Sequence, residues 1–328
     1  MGEFEDRLFD TLLREHGDAL VSAPEAVPQR HWGRWVAAVG TVAAVAAGVL
    51  MVQTVEFGDQ PAPASAAATV LTSAADRLGA ADPDVRPGQY LYIETHRWVL
   101  VVSDAPLAYL KESVDQTWVP YDRTQEWVQR SQNTGKREWI HGSDADLVAA
   151  GIETGPGQVT ELRAPCGDFY PEGGLAPCEH EGNWQEPDAE FVSTLGSDPH
   201  QLYQRIHAAM ADEGTGPDVA TLEFVAEAVR GGLLPADLRA KLYRALANLP
   251  ILEVSDRNAN LDGRNGIGLG IDEGGRKREL IIDPATGQFI GERKTATKAF
   301  GMVPAGTVTS YTALTTAVAT EAGVVPTR

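Results

Sequence analysis

The spacing of hydrophobic residues changes along this chain, and each change marks a different element. Between residues 3 and 20, Phe4, Leu8, Leu12, Leu13 and Leu20 recur near helical spacing, which predicts a short amphipathic helix. From Trp35 to Val55 no charged residue occurs and no polar face interrupts the Ala/Val-rich run. At a rise of ~1.5 Å per residue, a helix of that length reaches across the ~30 Å hydrocarbon core of a bilayer, which predicts a transmembrane helix over 35–55. The Pro/Ala stretch from Asp59 to Ser65 has no period and reads as an extended linker. Helical spacing returns over 66–79, where Leu71, Ala74, Ala75 and Leu78 share a face.

After Pro87-Gly88 the pattern becomes that of strands: Gln89–Thr95 continuing as Trp98–Val102, then the surroundings of Trp118-Val119 and Trp127-Val128. With Asn133-Thr134-Gly135 as a turn, a hairpin centred on residue 133 sets Trp127 opposite Trp139. Residues 141–197 have weak periodicity, and irregular structure is expected there. Three helices follow. The first opens with Asp198 as N-cap and Pro199 at the first helical position, and its apolar face is Leu202, Ile206, Ala209 and Met210. The second carries Val219, Leu222, Val225, Ala226 and Val229 and stops at Gly231-Gly232; the third runs from Pro235 to about Ala247. The remainder reads as strands over Ile251–Ser255, Gly266–Asp272, Lys277–Asp283, Gln288–Thr297 and Thr307–Val318, with tight turns at Glu273-Gly-Gly275 and Asp283–Gly287. Consecutive strands joined by short turns pair as an antiparallel meander. The predicted fold class is therefore α+β, an antiparallel sheet with helices packed on one face, preceded by one transmembrane helix.

Charge sets the direction of the span. Arg30 and Arg34 precede it, Glu56 and Asp59 follow it, and the positive-inside tendency places the N-terminus in the cytoplasm. The expected organisation is a cytoplasmic tail (1–34), a transmembrane helix (35–55), a linker (56–65) and an extracytoplasmic domain (66–328) held at the cell membrane. The rival reading is a cleaved secretory signal ending near Ala64-Ser65-Ala66. A charge-rich leader and a run longer than the usual ~7–15 residues of a signal core argue against it. Gly40, Ala44 and Ala47/Gly48 form a small-xxx-small ladder, which raises a homodimer through this helix as one outcome. With 46 acidic against 27 basic residues and a net charge of −19, the chain is a poor match for nucleic acid, whose binding rests on cationic contacts to phosphate.

Only two cysteines are present, Cys166 and Cys178, both on the side placed outside the cytoplasm, so a disulfide is their simplest use. A short closed loop of this kind contributes on the order of 3 kcal/mol in the chain-entropy model. A metal site from Cys166, Cys178 and His180 lacks the second close ligand pair such sites use. Motifs for familiar catalysis are missing: no GxSxG, SxxK, HExxH, Walker A or CxxC occurs, and nothing calls for a cofactor. Asp256-x-Asn258-x-Asn260 copies the start of a calcium loop, but Leu261 stands where Gly is needed and Ile267 where Glu is needed. Gly266-Ile-Gly-Leu-Gly270 precedes a strand, so its glycines fit a small strand face lying against another layer better than a phosphate loop. The aromatic residues of the first strand region, above all Trp98, Trp118, Trp127 and Trp139, either fill the core or line a cavity for an apolar ligand.

Leu238–Pro250, Asp262–Gly266, Glu279–Gly287 and Gly306–Tyr311, together with Pro87–Tyr92 and Ser197-Asp-Pro199, make a set of motifs that resembles a family of actinobacterial single-pass membrane proteins. The resemblance covers about residues 66–318. It implies a gene neighbourhood with extracytoplasmic-function sigma factors and an outer domain similar to the LolA/RseB-type half-barrels, which hold lipids or sense envelope state. It brings no catalytic residues, and the tail has no His/Cys zinc motif of the anti-sigma kind. The function expected on these grounds is a non-enzymatic, membrane-anchored protein that binds or senses a lipid or an envelope protein, linked to sigma-factor signalling. A lipid or lipoprotein carrier is the alternative, and an envelope enzyme without a familiar motif is the third.

Overall fold

The computed structural model describes residues 65–78, 82–103, 106–152, 155–170, 178–179, 182–184 and 187–327. The elements run α1 (Ala66–Arg77), β1 (Tyr90–Val102), β2 (Ala108–Pro120), β3 (Glu126–His141), α2 (Asp144–Ala149), β4 (Thr160–Pro165), α3 (Ala189–Thr194), α4 (Pro199–Ala209), α5 (Pro217–Arg230) and α6 (Ala236–Leu246). They continue with β5 (Glu253–Leu261), β6 (Arg264–Glu273), β7 (Arg276–Ile282), β8 (Phe289–Ala296) and β9 (Val308–Ala319). All nine strands form one antiparallel sheet in the order β4-β3-β2-β1-β9-β8-β7-β6-β5, so the α+β class read from the sequence is observed. The predicted transmembrane helix, the amphipathic tail and the linker up to residue 64 lie outside the described residues. Among the described residues no helix is long and apolar enough to cross a membrane.

Side-chain alternation gives the sheet two unlike faces. One carries Ile93, Val119, Trp127, Leu269, Ile271, Leu280 and Leu314, and these form the main core with the helices. α1 and α4 both pack on α6, and α5 lies over β7 and β8. The Asp198 cap matches the sequence reading, accepting from the His200 amide at 2.9 Å ahead of Pro199; Ser65, read from the sequence as the end of the linker, caps α1 by accepting from the Ala68 amide at 3.1 Å. The α6 N-terminus differs, because Pro235 offers no capping side chain.

Among the described residues the opposite face has no helix layer and is built from smaller clusters. Gly266, Gly268 and Gly270 of β6 point this way, while Leu269 and Ile271 point into the main core. A Cβ on Gly270 would sit 2.6 Å from the Arg278 carbonyl and 2.8 Å from Glu279 Cγ, so the strand keeps its small face to admit the neighbouring layer. β5 and the start of β6 fold across this face. Ala259 and Leu261 join Ile281, Ile290 and Ala313 there, and Arg264 donates to the carbonyls of Ile290 and Leu314.

One expectation is overturned. Residues 126–141 form a single strand of sixteen residues, not a hairpin about residue 133. Trp127 faces Ala164 and Trp139 faces Tyr109. The turn residues are absorbed by a bulge: Ser113 pairs with Asn133 and Lys111 with Arg137, and Gly135 takes a φ of 80° while its amide donates to Asn133 Oδ1. The weakly periodic stretch after β3 also holds more than irregular chain, since β4 extends the sheet edge and α2 and α3 are short helices. Cys166 and Cys178 are joined as a disulfide with a Cα–Cα distance of 5.4 Å.

Candidate functional site

The four tryptophans read as a ligand lining occupy separate places. Trp127 belongs to the main core on the helix side, and its indole donates to the Arg123 carbonyl at 2.9 Å. Trp118 is fully buried on the other face against Tyr92, donating to the Val324 carbonyl at 2.8 Å. Trp98 stacks on Tyr311, and Trp139 packs on Tyr109 at the far end of the sheet. Trp127 and Trp118 lie in different clusters on opposite faces of the sheet, and Trp139 belongs to a third cluster.

Two other places concentrate chemistry. The first lies on the face without helices, where β1 sets Tyr92, Glu94, His96 and Trp98 in a row. His96 Nδ1 is 3.0 Å from Asp262 of the β5–β6 turn and 3.8 Å from Glu112 of β2, while its Nε2 is 3.3 Å from Glu94. Both buried glutamates have further partners. Glu94 accepts from Tyr92 and from Gln116 at 2.9 Å, and Glu112 accepts from Thr134 at 2.5 Å and pairs with Lys136 at 3.1 Å. Hydrogen bonds to Asp262 and then Glu94 raise the His96 pKa to about 9 against the opposing effect of burial. The bond from His96 lowers Glu94 to about 2, with Tyr92 and Gln116 adding to it and burial opposing it. An imidazolium whose two N–H groups both serve carboxylates is a poor base at neutral pH. The arrangement instead ties the β5–β6 turn to β1.

A third buried carboxylate on the same face, Glu279, is held by Arg293 at 2.8 Å, Ser255 at 2.7 Å and Lys277 at 3.1 Å. Burial pushes its pKa up, and these bonds outweigh it, so the carboxyl stays below its ordinary range. Asp256, first residue of the calcium-like motif, spends its carboxylate on Arg293 at 2.8 Å and on the Asn258 amide at 2.9 Å.

The second place is a groove where the α5–α6 connection meets the sheet. A cleft with a volume of about 280 Å³ runs between Asp82–Val85, Gly232–Pro235 and the ends of β1 and β2. A second, of about 560 Å³, continues toward Arg264, Thr286, Gln288 and Phe289. The two share Asp82, Pro83, Gly232, Arg239 and Thr316 as a common wall. Their floor is apolar, with Leu91, Val119 and Leu234 on one side and Phe289, Ile290 and Leu314 on the other. Three guanidinium groups, Arg123, Arg239 and Arg264, and three carboxylates, Asp82, Asp84 and Asp283, belong to the lining. Arg239 is buried, pairs with Asp82, donates to Gln288 Oε1 at 2.6 Å, and keeps an unpartnered Nε. None of the four tryptophans lines this groove. The sequence does not reveal it because its residues belong to six separate stretches, 82–91, 119–123, 232–239, 264–265, 283–290 and 314–316, and Gly231-Gly232 reads from the sequence only as a helix stop. Gly232, at a φ of 70°, leaves a Cβ only 3.0 Å from Ile93, so the chain can turn here only without a side chain.

Comparison with protein-family models, with curated protein sequences and with solved structures finds no match to this chain.

Proposed function

We propose that this is a membrane-anchored extracytoplasmic binding protein, non-enzymatic, whose α+β domain holds a small ligand in the groove between its helices and its sheet. The groove carries this reading. Its combined clefts fall in the size range of small-molecule sites, and its lining is an apolar floor with a few convergent polar groups. The apolar run over 35–55 supplies the anchor, with the N-terminus in the cytoplasm, and the paired cysteines support an oxidising compartment for the domain. The half-barrel description belongs to this proposal, supported by the β5–β6 segment curling across the face that has no helices. Signalling toward a sigma factor stands as the output proposed from the family resemblance.

Catalysis is the rival reading, and the group around His96 is its strongest support. Full engagement of both ring nitrogens, with a raised pKa, favours a structural clasp instead. The test is native mass spectrometry of the full chain taken from the envelope of an expressing cell, compared with Thr316→Trp, which places an indole in the wall common to both clefts. A bound small molecule on the wild type that is lost in the variant is expected. Equal loading of both proteins, or none on either, would remove the groove as the binding site.

A further inference from the structure

We infer that Arg239 and the N-terminus of α6 form an oxyanion site in the middle of the groove, filled in the free protein by Asp82 and taken over by the anionic head of an amphiphilic ligand. The inference rests on the groove being the binding site and names the class of ligand. Asp82 reaches the site from the segment after α1. One of its carboxylate oxygens pairs with Arg239 Nη2 and the other accepts from the Ala236 amide at 2.7 Å. These are the two kinds of donor that a carboxylate or phosphate ligand uses, a guanidinium and a helix N-terminal amide.

The two sides of the contact differ in how firmly they are held. The Arg239 side chain is 11 % exposed, while that of Asp82 is 45 % exposed. Gln288 fixes the guanidinium from the sheet side at 2.6 Å, and α6 is embedded through Leu238 and Leu242 in the main core. The cationic half is thus built into the body of the domain, and the anionic half sits on a surface segment. A buried guanidinium left without an anion is costly, so Asp82 leaves only in exchange for another negative group. Asp82 also borders both clefts, so its departure opens the wall between them and lets an apolar tail lie along Leu234 and Val119 or along Phe289 and Leu314. A purely structural reading makes Asp82 a cap for a helix whose own N-cap is Pro235. Asn caps helices as well as Asp does, so Asp82→Asn keeps that role and removes the competing charge.

Calorimetric titration of the full chain in nanodiscs of zwitterionic lipid separates the readings, with hexyl phosphate, hexanoate, hexanol and inorganic phosphate as probes. Asp82→Asn is expected to bind hexyl phosphate and hexanoate about tenfold more tightly than the wild type, because the self-occupied fraction of the site is released. Hexanol is expected to be unaffected. Asp76→Asn, a change of the same charge on α1 outside both clefts, where Asp76 pairs with Arg244, is expected to leave all four probes within about twofold. A tenfold gain confined to inorganic phosphate and absent for hexyl phosphate assigns the oxyanion site to a free anion and overturns the amphiphile. Binding of hexanol and hexyl phosphate that is equal in wild type and Asp82→Asn overturns the oxyanion site and leaves the groove as a binding site. No binding of any probe by any variant overturns both.

Discussion

At the scale of single residues, His96 decides how the face without helices behaves with pH. Its pKa is raised from 6.5 to about 9 by Asp262 and Glu94, so its stabilising contribution is complete below 6.5 and is lost as pH rises through about 9. Glu94 runs the other way: its pKa falls from 4.5 to about 2, so its contribution is complete above 4.5 and is lost as pH drops toward 2. Between these limits the clasp is insensitive to pH, which suits a structural tie and not a sensor of mild acidity. Thermal unfolding across pH 6 to 10 is expected to show Tm falling between 6.5 and about 9, a fall that His96→Gln lacks. His96→Ala leaves Glu94 and Glu112 buried without their shared cation and is expected to cost about 3 kcal/mol at pH 7, read by urea denaturation. Neither His96 nor its partners could be singled out from sequence. Glu94 and His96 stand on one strand face, but Glu112 and Asp262 join them only through the β1–β2 register and the folded-over turn.

At the scale of elements, the β5–β6 segment is the part that departs most from a flat meander. Its return across the sheet depends on Gly291, where a Cβ would lie 2.0 Å from the Thr312 carbonyl and 2.8 Å from Leu261 Cδ1. Gly291→Ala is therefore expected to destabilise the domain by about 2 kcal/mol and to speed amide exchange in residues 259–264 before the rest of the sheet. The helices were legible because caps and apolar spacing are local: Asp198-Pro199 and the Gly231-Gly232 stop are both where the sequence placed them. The glycine alternation of β6 was legible for the same reason. The supposed hairpin failed because a turn tripeptide such as Asn133-Thr134-Gly135 serves a bulge as readily as a reversal, and only pairing with β2 and β4 distinguishes them. The groove was not legible at all, since Asp82 and Arg239 stand 157 positions apart and nothing local relates them.

At the scale of the whole molecule, one α+β unit carries both the groove and the disulfide. The bond between Cys166 and Cys178 lies at the end of edge strand β4, with Cys166 Sγ 3.6 Å from the Thr124 carbonyl. Replacing both by Ser is expected to lower stability by about 3 kcal/mol, which urea denaturation checks. The central claim is that ligand is held between the helices and the sheet, and not at the His96 clasp. Amide hydrogen exchange of the full chain with and without saturating hexyl phosphate tests it most directly. The account predicts slowed exchange at the start of α6 and at Phe289-Ile290, with the amides around His96 in β1 unchanged. Protection centred on His96 and the Asp262 turn, with the start of α6 unaffected, would contradict it.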